Sequence, residues 1–392
     1  MYKTIEELVT RIDERNSDGT VSELIGVSID KCFIKSVANT NGTDLSKYKI
    51  IRKNDFAVSL MQVSRDGKIP VARLEEYEEA IMSPAYPIFR VKDKNVILPE
   101  YLEMWFKRPE FDREAAFIAV GGVRGSMPWE EFAKMKLPVP PIEKQRKIVN
   151  AYKIVIDRIA LKQKINDNLV ACIDTIFNEQ FGNFKALAES STANTDFSSL
   201  PDGWTIENAV HSFDISIGKT PPRSEPEWFT SNQTDNVWIS IADMKTNSPF
   251  IFKSAEYLTN EAVKKHNVKI VPANSVLLSF KMTVGRVAIV TNEVTTNEAI
   301  AHFPCTKETL FFVYCYLKNF NYGYLGSTSS ITTAINSKII KEMPFLMPSK
   351  KELDLFNRKV SGLFEQLKYI SKELDILEEL SKMLLPQLLG HC

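Results

Sequence analysis

The chain has 392 residues, of which 44% are hydrophobic and 25% charged, a composition typical of globular proteins with two or three domains. Lysine plus arginine equals aspartate plus glutamate, and this net charge of zero argues against an unaccompanied, non-specific DNA-binding protein. No apolar run approaches the roughly 20 residues of a membrane span. Five scattered cysteines argue against a disulfide framework or a cysteine zinc site, and predict a reduced, cytoplasmic protein.

Short strand-like runs alternate with turn signals from about residue 20 to about residue 135, which predicts a first globular domain. Within it, Val58–Val63 and Pro87–Val91 are predicted strands, and Pro99–Phe111 is a predicted helix. A glycine-rich loop at Gly121–Ser126 precedes a proline-marked hinge at Met135–Gln145.

A long helix is predicted to start near Ile142 and to end at Phe181-Gly182-Asn183. Its apolar residues alternate spacings of three and four, as in a coiled-coil seam. The seam residues are Ile148, Tyr152, Val155, Ile159, Leu169, Ile173 and Ile176. The stretch from Ala188 to Leu200 is rich in Ser, Thr, Ala and Asn, which is typical of a linker.

A second globular domain is predicted over residues 201–345, with strands at Val237–Ile241, Ser275–Phe280 and Arg286–Val290. A second proline-marked hinge, Met343–Glu352, leads into a closing helix that Pro386 is expected to break. The seam of this helix comprises Leu353, Phe356, Val360, Leu363, Leu367, Ile370, Leu374, Leu377 and Leu384.

The order of globe, hinge and helix therefore occurs twice, with Pro141 and Pro348 about 200 residues apart, too long a period for a solenoid. Both seams need an apolar partner, and the simplest arrangement pairs Ile142–Phe181 antiparallel with Ser349–Leu385. The alternative, two core helices in separate domains, fits their length and narrow apolar stripes less well. The predicted fold is α+β: two mixed α/β globes separated by two long antiparallel coiled-coil helices, with pseudo-two-fold symmetry.

Loops of both globes carry the residue types that bind phosphates and read bases. The predicted DNA-contacting residues lie on one face of each globe: Arg65, Lys68 and Arg124 in the first, and Lys219, Thr220, Arg223, Lys281, Arg286 and Ser327 in the second. Solvated surface loops of the same composition are the alternative interpretation.

One of these loops, Ile217-Gly218-Lys219-Thr220, resembles the end of a phosphate-binding P-loop. Phe213 stands where a P-loop needs its first glycine, and Pro221-Pro222 prevents the helix whose N-terminus would hold the phosphate. The pattern argues against an NTPase and favours a tight turn that presents Lys219, Thr220 and Arg223.

The sequence offers no convincing catalytic site. It contains no G-x-S-x-G elbow, no G-x-G-x-x-G loop, no E-x-K triplet of metal-dependent nucleases and no Asn-Pro-Pro or Asp-Pro-Pro of amino-methyltransferases. The histidines show no metal-ligand spacing and are interpreted as structural or surface residues: His211, His266, His302 and His391. No cofactor and no metal is predicted.

Over essentially its whole length the chain resembles a specificity subunit of a Type I restriction–modification system. Leu137–Gln145 is similar to the proline-rich entry of that family's first conserved helical region. The second globe follows the order of a target-recognition domain in Gly203-Trp204, Ile217–Pro221, Trp238–Met244, Ser279–Arg286 and Asn297-Glu298-Ala299. The first globe resembles a different recognition-domain class in Phe33–Ser36, Asp44–Tyr48, Ser83–Tyr86 and Leu98–Leu102. The second hinge departs from the family, because Met347–Glu352 lacks the tandem prolines and the glutamine.

The resemblance implies five segments: target-recognition domain 1 (1–140), helical spacer 1 (141–184), a linker (185–200), target-recognition domain 2 (201–347) and helical spacer 2 (348–392). Each recognition domain is expected to read one half of a split, asymmetric site in double-stranded DNA. The helices are expected to fix the spacer and to dock two methyltransferase subunits, with restriction/translocase subunits joining the complex. Methylation and cleavage then belong to the partners. The alternatives are a stand-alone coiled-coil scaffold and a fused restriction–methylation enzyme.

Overall fold

The computed structural model describes residues 1–36, 43–119, 125–190, 198–245, 248–325 and 335–390. The chain divides into two compact units. The first combines Met1–Arg158 with Leu377–Cys392, and the second is Ile159–Ile376. Two long helices, α6 (Ile142–Glu189) and α11 (Lys350–Gly390), each contribute residues to both units.

The first unit is built on a four-stranded antiparallel sheet of order β2-β9-β6-β7, with β1 paired to β10, β3 to β4 and β5 to β8. Its strands are β1 (Tyr2–Thr4), β2 (Val9–Ile12), β3 (Ile25–Val27), β4 (Phe33–Lys35), β5 (Lys49–Arg52), β6 (Phe56–Val58), β7 (Val71–Arg73), β8 (Glu79–Met82), β9 (Ile88–Val91) and β10 (Lys136–Pro138). Its short helices are α1 (Ile5–Leu8), α2 (Val63–Asp66), α3 (Pro99–Phe106), α4 (Pro109–Ile118) and α5 (Trp129–Lys134), with a 3-10 turn at Leu45–Lys47.

Aromatic side chains form the core of the first unit. Phe56 of β6 stacks on Phe89 of β9 with ring centroids 5.3 Å apart, and Phe106 of α3 meets both rings edge-on. Ile148 of α6 and Leu389 of α11 belong to the same buried cluster, so both long helices are anchored in this core.

The second unit contains a five-stranded mixed sheet of order β12-β20-β17-β18-β15 and a four-stranded mixed sheet of order β13-β16-β14-β19, while β11 pairs with β21. Its strands are β11 (Thr205–Asn208), β12 (Ser216–Ile217), β13 (Phe229–Thr230), β14 (Asn236–Ile239), β15 (Phe250–Ile251), β16 (Glu256–Leu258), β17 (Ser275–Ser279), β18 (Val287–Val290), β19 (Thr295–Thr296), β20 (Ile300–Pro304) and β21 (Pro344–Met347). Its helices are α7 (Ala209–Ser212), α8 (Asn260–Lys265), α9 (Leu310–Asn319) and α10 (Ser337–Glu342), with 3-10 turns at Pro226–Trp228 and Tyr322–Leu325.

The two units share one order of elements. The chain enters through β1-α1-β2 in the first unit and β11-α7-β12 in the second, and leaves through α5-β10 and α10-β21. The entry strand pairs antiparallel with the exit strand in both units. The sheet order β2-β9-β6-β7 is repeated as β12-β20-β17-β18. A long helix then follows each exit strand, so the predicted duplication is confirmed.

Within the second unit the two long helices run antiparallel. Lys162 of α6 forms an ion pair with Glu373 of α11 at 2.7 Å, whereas Gln180, further along α6, donates to Glu352 near the start of α11 at 3.0 Å. Phe181 of α6 packs edge-on against Phe356 of α11 at 5.3 Å. The predicted antiparallel pairing is confirmed by these contacts.

Two predicted helix ends are wrong. Helix α6 continues beyond Phe181 to Glu189, because Ala188 is fully buried and Lys185 donates to the Asn319 carbonyl at 3.0 Å. These tertiary contacts outweigh the roughly 1 kcal/mol that a glycine costs inside a helix. Helix α11 continues through Pro386 to Gly390, where Leu389 is buried in the core of the first unit.

Two other predicted elements are corrected. The predicted helix Pro99–Phe111 is two helices, since Arg108 adopts the extended conformation that a following proline favours. The predicted strand Val58–Val63 ends at Val58, and Gln62, at φ +61°, leads the chain into α2 instead. The predicted strands of the second globe are confirmed within one or two residues as β14, β17 and β18.

Candidate nucleic-acid interface

The turn after β12 carries the Gly-Lys-Thr sequence and lies against the end of β19. The Lys219 N–H donates to the Thr296 carbonyl at 2.9 Å. A side chain at Gly218 would overlap the Thr296 hydroxyl and the Asn297 carbonyl oxygen, so this approach requires glycine. The close contact holds Lys219 and Thr220 beside the loop that follows β19. The turn therefore packs closely against the end of β19. The next element after it is the 3-10 turn Pro226–Trp228, and not the helix of a phosphate-binding loop.

Glu298, in the loop after β19, has three of the predicted DNA-contacting residues around it. The Thr220 hydroxyl donates a hydrogen bond to its carboxylate. Partial burial raises the pKa of Glu298, but the Thr220 hydrogen bond and the charges of Lys281 and Arg223 hold that pKa below its ordinary value. Glu298 is therefore an ionised acceptor at neutral pH. We call Thr220, Arg223, Lys281 and Glu298 the Glu298 cluster.

Arg223 is held by partners of its own unit. Its two terminal nitrogens donate to the two carboxylate oxygens of Glu256 at 2.7 and 2.8 Å. The guanidinium lies over the rings of Phe229, at 4.0 Å, and Trp238, at 4.8 Å. The ion pair raises the pKa of Arg223 and lowers that of Glu256. Arg223 is thus a rigid, half-exposed cation whose terminal nitrogens are already engaged.

The loop between β17 and β18 is a compact tip closed by Ser279. The Ser279 hydroxyl donates to the Thr283 carbonyl at 2.6 Å and accepts from the Arg286 N–H at 3.0 Å. Lys281 and Thr283 are exposed on this tip. Arg286 is not: its side chain is half-buried and donates to the Ile241 carbonyl at 2.6 Å. Arg286 is a predicted DNA-contacting residue, but the Ile241 carbonyl holds its guanidinium away from the exposed tip.

Two predicted DNA-contacting residues, Arg124 and Ser327, lie outside the described residues. A Cβ on Gly125 would lie 2.5 Å from the Ser64 hydroxyl, on α2, and one on Gly285 would lie 3.2 Å from the Tyr322 ring. Gly125 thus packs against α2, and Gly285 packs against the 3-10 turn Tyr322–Leu325.

In the first unit, Arg65 and Lys68 lie on and just after α2, in the connection between β6 and β7. Arg65 donates to the Asp66 carboxylate at 2.8 Å and to the Gln62 side chain, and it remains well exposed. Lys68 is exposed as well. Because β6 and β7 correspond to β17 and β18, Arg65 and Lys68 occupy the same connection as Lys281 and Thr283. The structure thus brings these two first-globe residues to one loop.

A buried histidine links two of the strands that lead to the Glu298 cluster. His302 of β20 is fully buried between two hydroxyls, with Nδ1 2.8 Å from Ser216 Oγ and Nε2 2.7 Å from Thr296 Oγ1. The Thr296 hydroxyl also donates to the Asn297 carbonyl at 3.1 Å, so it accepts from Nε2–H while Nδ1 accepts from Ser216. Burial lowers the pKa of His302 to about 4, and the ring is neutral at pH 7.

A cleft of about 640 Å³ lies in the first unit between α3 and the start of α6. Its wall includes Arg73, whose nearly buried guanidinium pairs with Glu103 at 2.7 Å and with Glu100 at 3.7 Å. Lys107 pairs with the other oxygen of Glu103 at 2.6 Å. These ion pairs fasten α3 to β7.

Neither a metal site nor a membrane span is found where the structure is described. Across residues 1–36, 43–119, 125–190, 198–245, 248–325 and 335–390, no three His, Cys, Asp or Glu side chains are grouped so as to hold a metal ion. Within the same ranges no helix has both the length and the apolar composition to cross a bilayer.

Sequence reasoning missed the acidic members of the site, Glu298 and Glu256. Asn297-Glu298-Ala299 carries the family resemblance through its place in the motif order, but a carboxylate is not a residue type that binds phosphates. The signal that could have drawn attention to Glu298 is its position after Thr295-Thr296-Asn297, a polar run that ends a strand. No local signal marks Glu256 as the partner of Arg223, 33 residues away.

Comparison with known proteins places these features in a family. The family model described as "Type I restriction modification DNA specificity domain" matches residues 25–171 and 212–382, one match in each half of the chain. The chain is 23% identical to the Type I restriction enzyme HindI specificity subunit of Haemophilus influenzae, over 92% of this chain and 90% of that protein. It is 22% identical to the putative type I restriction enzyme MjaX specificity subunit of Methanocaldococcus jannaschii, over 92% of this chain and 83% of that protein.

A solved structure shares the fold. The S subunit of a Type-I restriction-modification system from M. genitalium aligns with a TM-score of 0.54 at 14% sequence identity, covering 99% of this chain and 96% of that chain. The two matched segments, the repeated order of elements and the paired long helices agree with one another. The chain belongs to the family of Type I restriction–modification DNA specificity proteins.

Proposed function

We propose that this chain is the non-catalytic DNA-recognition subunit of a Type I restriction–modification complex, and that each globular unit reads one half of a bipartite, asymmetric site. The observation that carries the proposal is the repeated scaffold with unlike loops. The same strand order is built twice, but the connections that present polar side chains differ in sequence and in length. Because the loops of the two units present different hydrogen-bond donors and acceptors, each unit is suited to recognise a different DNA sequence.

The net charge and the exposed cations fit a DNA-recognition subunit that acts within a complex. A net charge of zero leaves little general attraction for DNA, so phosphate binding falls to local cations and to partner subunits. Lys281 and Lys68 are exposed cations suited to phosphates. The Glu298 cluster adds donors and an acceptor that suit base edges.

The long helices are suited to docking two methyltransferase subunits. Large apolar side chains stand exposed on them, with 70% of Ile154, 58% of Leu161, 70% of Tyr369 and 65% of Ile376 accessible. These exposed apolar side chains are candidate contacts for a partner subunit. Methyl transfer belongs to these cytoplasmic partners, and cleavage to restriction subunits that join them. The paired helices then set the spacer between the half-sites.

The test is to express the chain with the methyltransferase subunit of the same system in cells that lack DNA methylation, and to map the modified bases. We expect one split motif with two different halves and a constant spacer. The methyltransferase subunit expressed alone serves as the control and should leave no such motif. A continuous motif, or methyl transfer by this chain alone, would contradict the proposal.

The role of the helices has its own test, which is to insert one heptad in register into both α6 and α11. We expect both half-sites to be retained and the spacer to lengthen. About 10 Å of added helix corresponds to roughly three base pairs, or fewer if the DNA bends to compensate. A change in either half-site would contradict a pure spacing role.

A further inference from the structure

Glu298 is an acidic side chain where a DNA-binding surface is expected. A carboxylate gains nothing from phosphates, because both are negative, so it weakens the general attraction that the neighbouring cations provide. Its presence among Lys281, Arg223 and Thr220 therefore calls for a favourable partner. On the major-groove edge of DNA, the partners of a carboxylate are amino groups, with cytosine N4 the preferred one.

The contacts of Glu298 leave it able to accept such a group. The Thr220 hydroxyl donates to one carboxylate oxygen, Oε2, which orients the carboxylate while the side chain stays exposed. The Phe280 N–H donates to the Ala299 carbonyl at 2.9 Å, which places Lys281 and Glu298 on adjoining chain segments. The positive charges of Lys281 and Arg223 favour the ionised carboxylate. Since Arg223 has both terminal nitrogens on Glu256, Lys281 is the cation better placed to donate to a second base.

An acceptor and a cation side by side complement the edge of one base pair in particular. A C·G pair presents the cytosine N4 amino donor next to the guanine O6 and N7 acceptors. An A·T pair also has an amino group, at adenine N6, but the adjacent adenine N7 acceptor would repel a carboxylate. The combination of Glu298 with Lys281 thus matches C·G better than the other pairs.

The support beneath Glu298 is rigid, as discrimination between bases requires. Gly218 fits against Thr296 and Asn297 without space for a side chain. His302 bridges Ser216 and Thr296, and thereby ties β12 to the strand that ends at the Glu298 loop. Both Thr220 and Glu298 are consequently held by short connections to buried strands.

We propose that Glu298 is a specificity-determining residue: its carboxylate accepts a hydrogen bond from cytosine N4, and Lys281 donates to the guanine of the same C·G pair. This inference rests on the proposed function, because it names one contact within the half-site that the second unit reads. Anchoring of Thr220 is the competing role for Glu298, and it makes a different prediction for an isosteric change.

The decisive variant is Glu298→Gln, whose amide oxygen can still accept from Thr220. The purified complex with the methyltransferase subunit is titrated, at one fixed salt concentration, with duplexes that differ only at one C·G pair of the second half-site. Each C·G pair of that half-site is replaced in turn by the other three pairs. Glu293→Gln, an exposed glutamate after β18, removes the same charge and is the matched control.

We expect the wild-type complex to prefer C·G at one position by roughly 5- to 150-fold. Glu298→Gln should lose this preference and accept A·T there, because glutamine pairs with adenine N6 and N7. Glu293→Gln should keep the wild-type preference. The first half-site should be unchanged in every variant, which also checks folding and assembly.

Three results would overturn the inference. If the second half-site contains no C·G pair, Glu298 has no cytosine to contact. If Glu298→Gln keeps the wild-type base preference, Glu298 only anchors Thr220. In both cases the proposed function stands. Absence of any split motif in the wild-type complex would instead defeat the proposed function, and this inference with it.

Discussion

The two globular units are alike in their scaffold and unlike in what they attach to it. In the first unit, two short hairpin-like pairs, β3-β4 and β5-β8, accompany the central sheet. In the second unit, a separate four-stranded sheet, β13-β16-β14-β19, takes their place and supplies Trp238 and Glu256. The scaffold is therefore the constant part, and the added strands determine which side chains surround the loops.

The equivalent loops show how this difference changes chemistry. In the connection between β6 and β7, Arg65 is paired with Asp66 of the same short helix. In the connection between β17 and β18, Lys281 lies next to Phe280, whose N–H donates to the carbonyl of Ala299, the neighbour of Glu298, at 2.9 Å. Each connection also contains an exposed residue with positive φ, Gln62 or Met282. The same position on the scaffold thus presents a locally paired cation in one unit and a cluster assembled from distant segments in the other.

Exchanging the second globe tests this comparison most directly, and we expect it to change the recognised DNA sequence the most. Replacing residues 201–345 with the second domain of another family member should change one half-site completely, since the loops carry the contacts. The other half-site and the spacer should be unchanged. Mapping of methylated bases measures both halves at once. Alteration of both half-sites would show that the units do not read independently.

The buried histidine distinguishes the second unit in acid from residues 1–140, which contain no histidine. Burial lowers the pKa of His302 from 6.5 to about 4. The unfolded chain therefore binds a proton that the folded second unit does not, and stability present above pH 6.5 is lost as the pH falls toward 4. This single group should remove about 3 kcal/mol of unfolding free energy over that range.

The measurement is chemical denaturation between pH 7 and pH 4, with Trp fluorescence as the signal, for the wild type and for His302→Gln. Glutamine keeps a polar group beside Thr296 but does not titrate. The variant should be less stable at pH 7 and should lose less stability in acid than the wild type. Equal acid sensitivity of the two proteins would count against a neutral His302.

Two glycines test how tightly each unit holds its loops. Gly218→Ala should destabilise the second unit by about 1–3 kcal/mol, because the methyl group overlaps a backbone carbonyl and a buried hydroxyl. Gly125→Ala should cost about 1–2 kcal/mol, mainly from its φ of +73°, since the Ser64 hydroxyl that it meets can rotate away. Each change should weaken only its own half-site in binding assays. Equal loss at both halves for either variant would contradict independent units.

The exposed lysines should give the smallest and most nearly equal effects. Lys68→Ala and Lys281→Ala each remove one exposed cation from the proposed interface, so each should lower the salt dependence of binding by about one counterion. Lys281→Ala should in addition relax one base position, which Lys68→Ala should not. Titrations at several salt concentrations give the slopes, and Lys264→Ala, on α8, is a control with the same loss of charge. If the salt dependence of binding were the same in all of these proteins, neither lysine would contact DNA.

Local patterns in the sequence determined the outline of this protein. Heptad spacing predicted α6 and α11 and their antiparallel pairing, since a seam of apolar side chains can be buried only against a partner. Alternating apolar runs located β14, β17 and β18, and the two proline-marked hinges revealed the duplication. These features depend on residues a few positions apart, which is why periodicity and turn chemistry suffice to find them.

The tertiary structure alone decided which polar groups meet. Thr220 and Glu298 are 78 residues apart, and Arg223 is 33 residues from Glu256. Arg286 was turned inward by a carbonyl 45 residues away, and α6 was extended past Gly182 by a bond from Lys185 to Asn319. Such contacts depend on how strands from distant parts of the chain align in one sheet. No spacing in the sequence records that alignment.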